Sequence, residues 1–123
     1  MIDKVLQIIN EEMQKLNINY FHLYNDSEKV TYPYVTGEYS ESSYAHENQM
    51  TQGDLLLECW NRGSDINLIA VINKIKQHFA EFQTVKNNIG IAINYNSCVP
   101  RRTNDINLKK YEMHLDVVHW KGI

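Results

Sequence analysis

The sequence predicts an α+β fold, with a mixed or antiparallel β-sheet, two helices packed on one face and a long polar β-hairpin arm. Two segments repeat apolar residues at helical spacing, and several others alternate apolar with polar residues. The order of these segments is α-β-β-β-α-β-β. Two helices cannot cover both faces of such a sheet, so they are expected to share one face. A chain of 123 residues suits one core, so residues 1–123 are expected to form a single domain.

The first half of the chain predicts one helix and three strands. The helix ends near Asn17, and its polar side places Glu11 and Glu12 toward solvent. Residues 18–24 are aromatic and β-branched, which favours a short strand. A second strand opens at Tyr32, where Pro33 is tolerated at a strand start.

The segment 36–52 is polar although apolar strands flank it. It carries Glu38, Glu41 and Glu47 and has no Lys or Arg. A polar segment cannot cover the core, but it can extend a hairpin beyond it. The sequence therefore predicts a projecting, mobile arm whose return strand is 53–60.

The second half predicts another helix, a strand, a loop and a closing strand. The helix spans about 65–82 and the strand spans 88–96. The loop covers 97–105. In the closing strand, alternate residues from Tyr111 to Val117 are expected to face inward. The helix is expected to face the core with Ile66, Leu68, Ile69, Ile72, Ile75, Phe79 and Phe82.

The turn 61–65, Asn-Arg-Gly-Ser-Asp, joins a predicted strand to a predicted helix, which is a common position for a ligand site. A phosphate-binding turn needs several glycines so that backbone N–H groups can converge on the anion. This turn has only Gly63, which supplies a permissive backbone for a corner. Ser64 or Asp65 is expected to cap the helix.

Other candidate chemistry does not form a site. Cys98, His119 and Asp116 have the residue types of a thiol triad, but Asp116 and His119 point to opposite faces of one strand. The five histidines lack metal-ligand spacing. His78 is expected to be a partly buried structural histidine. The sequence therefore predicts no catalytic residue, no metal and no cofactor, and a protein that is not an enzyme.

The net charge, the N-terminal segment and the cysteine content limit where the protein is expected to reside and what it is expected to bind. The net charge of −3 and the pI near 5.9 argue against sequence-specific or general nucleic-acid binding. The N-terminus lacks the apolar run of a signal peptide, and no segment is long enough to span a membrane. Two cysteines without metal-ligand spacing suit a reducing compartment. A cytoplasmic protein is expected.

The remaining signal is surface charge. The acidic hairpin is matched by a basic region further along the chain, and ordinary solvated charge is the simpler explanation. The alternative is an interface in which the acidic hairpin of one subunit meets the basic region of the next, which must close into a ring or extend as a filament. Aromatic side chains on the hairpin favour the interface. The candidate interface residues are Glu38, Tyr39, Glu41, Tyr44, Arg101, Arg102, Lys109 and Lys110.

Residues 30–123 resemble the tail-terminator, or tail-completion, proteins of long-tailed bacteriophages and prophages. The resemblance rests on "YPYVTGEY" before a polar hairpin, "LLLECWNRGSD" passing from strand to helix, the helix "INLIAVINKIKQHF", the loop "PRRTND" and the closing strand "YEMHLDVVHW". These are patterns of strands, turns and hydropathy rather than a catalytic signature.

The resemblance implies a structural virion protein, present in the host cytoplasm during assembly and then in the virion tail. Such a protein forms a ring, typically hexameric, that caps the tail tube, ends tail polymerisation and prepares head–tail joining. Its partners are its own copies, the major tail tube protein and head–tail connector proteins, and the isolated protein can be a monomer. Two alternatives stay open: a connector or neck protein, and a small enzyme or ligand-binding module with a pocket between helices and sheet.

Overall fold

The computed structural model describes residues 2–45 and 50–121, except for the side chains of 43–45. It contains two helices and a six-stranded mixed sheet, which confirms the predicted α+β class. The helices are α1 (Ile2–Lys15) and α2 (Asp65–His78). The strands are β1 (Tyr20–His22), β2 (Tyr34–Ala45), β3 (Thr51–Arg62), β4 (Phe82–Lys86), β5 (Ile89–Arg101) and β6 (Leu108–Lys121).

The sheet has the order β1-β2-β3-β6-β5-β4. The first pair, β1 and β2, is parallel, and the other neighbours are antiparallel. The central strands β3 and β6 pair from Thr51 opposite His119 to Arg62 opposite Leu108. The outermost strands are short, with 3 residues in β1 and 5 in β4, so each leaves part of its neighbour's edge uncovered.

The core lies on one face of the sheet. Buried side chains alternate along the central strands, as a sheet covered on one side requires. The buried apolar residues of both helices belong to one cluster, so both helices pack on this covered face. Among the fully buried members are Val5, Ile8, Ile9, Met13, Leu55, Leu57, Leu68, Ile75, Ile91, Ile93, Met113 and Leu115.

Two element bounds differ from the prediction, and strand β4 is an additional element that the predicted order α-β-β-β-α-β-β lacks. Helix α2 ends at His78, and Phe79 caps it with a backbone N–H that donates to the carbonyl of Ile75. Strand β4 occupies part of the predicted end of this helix, because Phe82 pairs with Ile93. Strand β5 continues through Arg101, where a loop was predicted. A register shift between Tyr95 and Ser97 lets the polar end of the strand stay paired with β6.

The predicted hairpin is confirmed, with the predicted return strand 53–60 inside β3, but the prediction that 36–52 projects as an arm is wrong for most of the described part of that segment. Thr36 to Glu41 pair with β3, and the same part of β3 pairs with β6, so this region lies inside the sheet. Its polarity is tolerated because alternate residues point to the face without helices. Glu47 lies outside the described residues.

Candidate interaction surface

The sheet face opposite the core, called the open face here, has neither described helix packed on it. Its strands are linked by ion pairs: Arg101 with Glu112, and Lys110 with Glu58. A hydrogen bond from Arg101 lowers the pKa of Glu112. These charges satisfy one another across neighbouring strands, as cross-strand pairs commonly do.

One end of the sheet gathers cations and is called the basic corner. It consists of five of the 12 Lys and Arg residues in the sequence, where β3 and β5 end and β6 begins. Lys110 pairs across the strands with Trp60 on one side and Arg101 on the other. The basic corner comprises Arg62, Arg101, Arg102, Lys109 and Lys110.

Aromatic rings lie beside these cations on the open face. Tyr34 and Trp60 are cross-strand partners whose ring centroids are 6.2 Å apart and whose planes differ by 20°. Lys110 places Nζ 4.9 Å from the Trp60 ring centroid. Arg62 lies over the ring of Tyr32 at 5.8 Å. Trp, Tyr and Arg are the residue types that dominate binding energy at protein interfaces.

The turn 61–65 is a capped corner, as predicted. The Ser64 Oγ accepts a hydrogen bond from the backbone N–H of Ile66 at 3.1 Å. Gly63 has a φ of 94°, which glycine adopts readily. Arg62 donates to Asp105 at 2.7 Å, and this hydrogen bond lowers the pKa of Asp105. The arginine of this turn therefore ties the β5–β6 loop to the start of α2.

A groove of about 340 Å³ lies at the basic corner, between the start of α2 and the β5–β6 loop. Its lining combines four cations with two carboxylates, and the remaining lining is mostly apolar. Such a groove suits a partner that offers both carboxylates and apolar side chains. The groove is lined by Asp65, Pro100, Arg101, Arg102, Thr103, Asp105, Ile106, Leu108, Lys109, Lys110 and Tyr111.

Exposed isoleucines border this groove. Ile106 in its lining is 85% exposed, and Ile66, the residue after Asp65, is 77% exposed. Ile69, one helical turn beyond Ile66, is 42% exposed. The prediction that Ile66 and Ile69 face the core is wrong, because Leu68, Ile72 and Ile75 form the buried side of α2.

The predicted interface residues differ in how far their charges are satisfied. Arg101 and Lys110 pair within the chain, and Lys109 donates to the carbonyl of Ile106 at 3.1 Å. Arg102 and Glu38 are exposed, and neither has an ion pair or side-chain hydrogen bond within the described residues. Glu38 lies on the open face opposite Leu56, away from the basic corner.

Two of the predicted residues face the core side instead. The Tyr39 hydroxyl donates to Glu41 at 2.8 Å, and Glu41 pairs with the buried Nε2 of His119. Burial alone would raise the pKa of Glu41, but hydrogen bonds with His119 and Tyr39 outweigh it and lower that pKa. Burial raises the pKa of Tyr39. The prediction that Glu41 lies on an exposed arm is therefore wrong, and the Tyr44 side chain lies outside the described residues.

Strand alternation explains this cluster, which the sequence analysis missed. Glu41 and His119 occupy covered-face positions of β2 and β6, separated by β3. Gly53 lies opposite Glu41 on β3, and the Tyr39 ring lies where a Cβ of residue 53 would stand. Gly53 therefore lets side chains of β2 and β6 meet across β3, the strand between them. The alternation itself was the signal, since it places Glu41 and His119 on one face.

Glu12 is a second error of the sequence analysis, since it is 3% exposed rather than solvated. Its carboxylate accepts from Lys15 at 2.8 Å and lies 2.8 Å from Nε2 of His78 at the end of α2. Burial opposes ionisation of Glu12, but these two hydrogen bonds dominate and its pKa is lowered. His78 is a partly buried structural histidine, as predicted, with a side chain 27% exposed.

The thiol triad does not assemble. Cys98 pairs across β5 and β6 with Met113, whereas His119 pairs with Ile91 near the other end of the same strands. Burial raises the pKa of Cys59 to about 12 and also raises the pKa of Cys98. Residues 2–45 and 50–121 contain no group of three or more His, Cys, Asp and Glu residues that could hold a metal ion.

Neither described helix is long and apolar enough to cross a membrane. The sequence matches no protein-family model and no curated protein at a significant level. The open face, the basic corner and the groove are therefore the features of the described residues that bear on function.

Proposed function

We propose that this chain is a structural, non-enzymatic virion protein of the tail-terminator type. Copies of it form a ring that caps the tail tube of a phage or prophage, ends tail polymerisation and prepares head–tail joining. Its partners are its own copies, the major tail tube protein and the connector proteins, and it needs no cofactor. The proposal joins the resemblance of residues 30–123 to the charge arrangement of the open face.

Separation of charge along the sheet is the observation that carries this proposal. The basic corner lies at one end, and Glu38, Asp54 and Asp116 form an acidic patch on the open face. Asp116 is six residues beyond Lys110 on β6, so about 20 Å separates the two regions. Complementary surfaces at different places on one molecule favour a heterologous contact, and such contacts build rings or filaments.

Arg102 and Glu38 are the charges most directly available for this contact. Both are exposed, and neither is paired among the described residues. An arginine can bind a carboxylate through two parallel hydrogen bonds, which gives direction as well as charge to a contact. Arg101 is the weaker candidate because Glu112 already occupies its guanidinium.

The test is the oligomeric mass of the protein as a function of concentration, measured by native mass spectrometry and light scattering. The wild-type chain is expected to form a closed ring, alone or on addition of tail tubes. Arg102→Glu should remain folded, since exposed charges contribute little to stability, but should not assemble. Lys121→Glu is the matched control, because it reverses an exposed charge at the end of β6 opposite to the basic corner. Normal assembly of Arg102→Glu would contradict the proposed contact.

A head–tail connector is the second candidate within the same class. The two functions differ in what the ring binds first. A terminator binds the end of a completed tail tube and fixes its length, so tubes assembled with it should stop growing. A connector should bind heads and leave tube growth unchanged. Electron microscopy of purified tubes grown with and without the protein distinguishes them.

A further inference from the structure

The groove of the basic corner has three properties that ordinary solvated charge does not explain. Its apolar lining includes the 85% exposed Ile106, and the 77% exposed Ile66 lies directly beyond Asp65 at its edge. Two of its four cations, Arg101 and Lys110, are paired with Glu112 and Glu58, whereas Lys109 and Arg102 have no ion pair among the described residues. One of those cations, Arg102, has no partner among the described residues. Large apolar side chains that share a site with cations mark a docking surface.

The chain itself contains a segment of complementary chemistry. Residues 30–61 include no Lys or Arg, and they carry Glu38, Glu41, Glu47, Asp54 and Glu58. At the end of the β2–β3 hairpin, the sequence adds the large side chains of Tyr44 and Met50 on either side of Glu47. A groove with apolar lining and cations is matched by a segment that carries apolar side chains and a carboxylate.

The hairpin end cannot reach the groove of its own chain. Strand β3 begins at Thr51 beside the hairpin end and finishes at Arg62 beside the groove. Its 12 residues span about 36 Å in extended conformation. Any contact between the two must therefore join different copies of the chain.

From these observations we infer that the groove of the basic corner binds the β2–β3 hairpin end, residues 43–50, of a neighbouring copy. This inference rests on the proposed ring, and it names the surfaces that meet. Ile66 and Ile106 bury the apolar side chains of the incoming hairpin, and Lys109 in the groove lining binds the carboxylate of Glu47, which leaves Arg102 for Glu38. The contact is head-to-tail, because the groove and the hairpin end lie at opposite ends of β3.

Binding of a synthetic peptide to the intact protein tests this directly. The peptide has the sequence of residues 36–52 with a fluorophore at its N-terminus, and its anisotropy is followed at protein concentrations at which the chain is monomeric. Saturable binding is expected. Ile106→Ser should weaken it at least about tenfold, which is the loss typical of removing an anchoring side chain. Val85→Ser is the matched control, since Val85 is a 65% exposed apolar residue on β4, away from the groove, and it should bind the peptide normally.

Absence of saturable binding, or equal binding by Ile106→Ser and Val85→Ser, would overturn the inference. A second measurement uses the assembled ring and does not depend on the peptide folding alone. In a Cys98→Ser background, the thiol introduced by Ile106→Cys should react with maleimide much more slowly in the ring than in the monomer. A ring in which this cysteine stays fully reactive refutes the groove contact but leaves the proposed function intact. A protein that binds the peptide but never forms a ring refutes the proposed function instead.

Discussion

Glu12 connects the two helices through one buried carboxylate, which contacts Lys15 on α1 and His78 on α2. We expect Glu12→Gln to lower the free energy of unfolding by about 1–3 kcal/mol at pH 7, because a buried charged partner is lost. The pKa of Glu12 is lowered in the folded protein, so its ionised form contributes stability above the unfolded-state value of 4.5. That contribution fades as the pH falls below 4.5 toward the folded-state pKa.

Urea denaturation of both proteins at several pH values checks this prediction. The difference between wild type and Glu12→Gln should be largest near neutral pH and should shrink in acid. Glu11→Gln is the matched control, because the neighbouring carboxylate is 36% exposed and pairs with Lys86 at the surface. A difference that grows as the pH falls would show that the carboxylate does not act through its ionised form.

The two cysteines are expected to differ in reactivity. Cys59 is 0% exposed and its pKa is raised to about 12, so its thiolate is scarce and shielded. Cys98 is half-buried, and its pKa is raised by burial. Maleimide should therefore label Cys98 slowly and Cys59 only after unfolding, as peptide mass mapping would reveal. Rapid labelling of Cys98 in the native protein would instead revive the idea of an activated thiol.

At the scale of single residues, the sequence predicted positions that depend only on neighbours along the chain. Ser64 caps α2 because its hydroxyl needs only the next turn of backbone, so the prediction is confirmed. Glu12 and Glu41 were predicted to face solvent and do not. Their environments depend on His78 and His119, which are 66 and 78 residues away in sequence. No local pattern contains that information.

At the scale of elements, the alternation of apolar and polar residues predicted the strands that have one apolar side. The prediction failed where a polar segment could be either a strand with an open face or a projecting arm. Ile89, Ile91 and Ile93 alternate and are buried as expected. Thr36, Glu38 and Ser40 are polar because they lie on the open face of β2, and this polarity suggested a projecting arm. Ile66 fits the helical period of α2, yet it is exposed, because the buried side of the helix is centred on Leu68, Ile72 and Ile75.

Hydrogen exchange along β2 distinguishes a strand inside the sheet from a projecting arm. The backbone N–H of Val35 donates to Asn19 beside β1, so odd-numbered amides point toward β1 and even-numbered amides toward β3. The amides of Thr36, Glu38 and Ser40 should therefore exchange slowly. Those of Tyr39 and Glu41 should exchange faster, since β1 pairs only as far as Gly37.

This alternation can be read residue by residue with NMR. Uniformly fast exchange from Thr36 to Glu41 would support the projecting arm over the paired strand. Leu55 and Leu57 of β3 serve as internal references, because both strands beside them are described and paired.

At the scale of the whole molecule, the separation of the basic corner from the acidic patch favours a heterologous contact between copies over a two-fold symmetric one. A heterologous contact uses two different surfaces, so a chain can lose one and keep the other. Glu38→Arg removes the acidic partner and leaves the basic corner intact, whereas Arg102→Glu does the reverse. In each variant alone, the contact would place two like charges together. Each variant is expected to remain monomeric, because like charges juxtaposed at an interface suppress association.

Mixing the two variants should restore assembly. Arg102 of the first then meets Glu38 of the second, and the reversed charges pair at the next contact, so opposite charges meet at every contact of an alternating ring. Such a ring closes only with an even number of subunits, and a hexamer satisfies this condition. Native mass spectrometry of an equal mixture should show rings with equal numbers of both variants. A mixture that yields only heterodimers would indicate a two-fold symmetric contact, and one that stays monomeric would show that Glu38 and Arg102 do not meet.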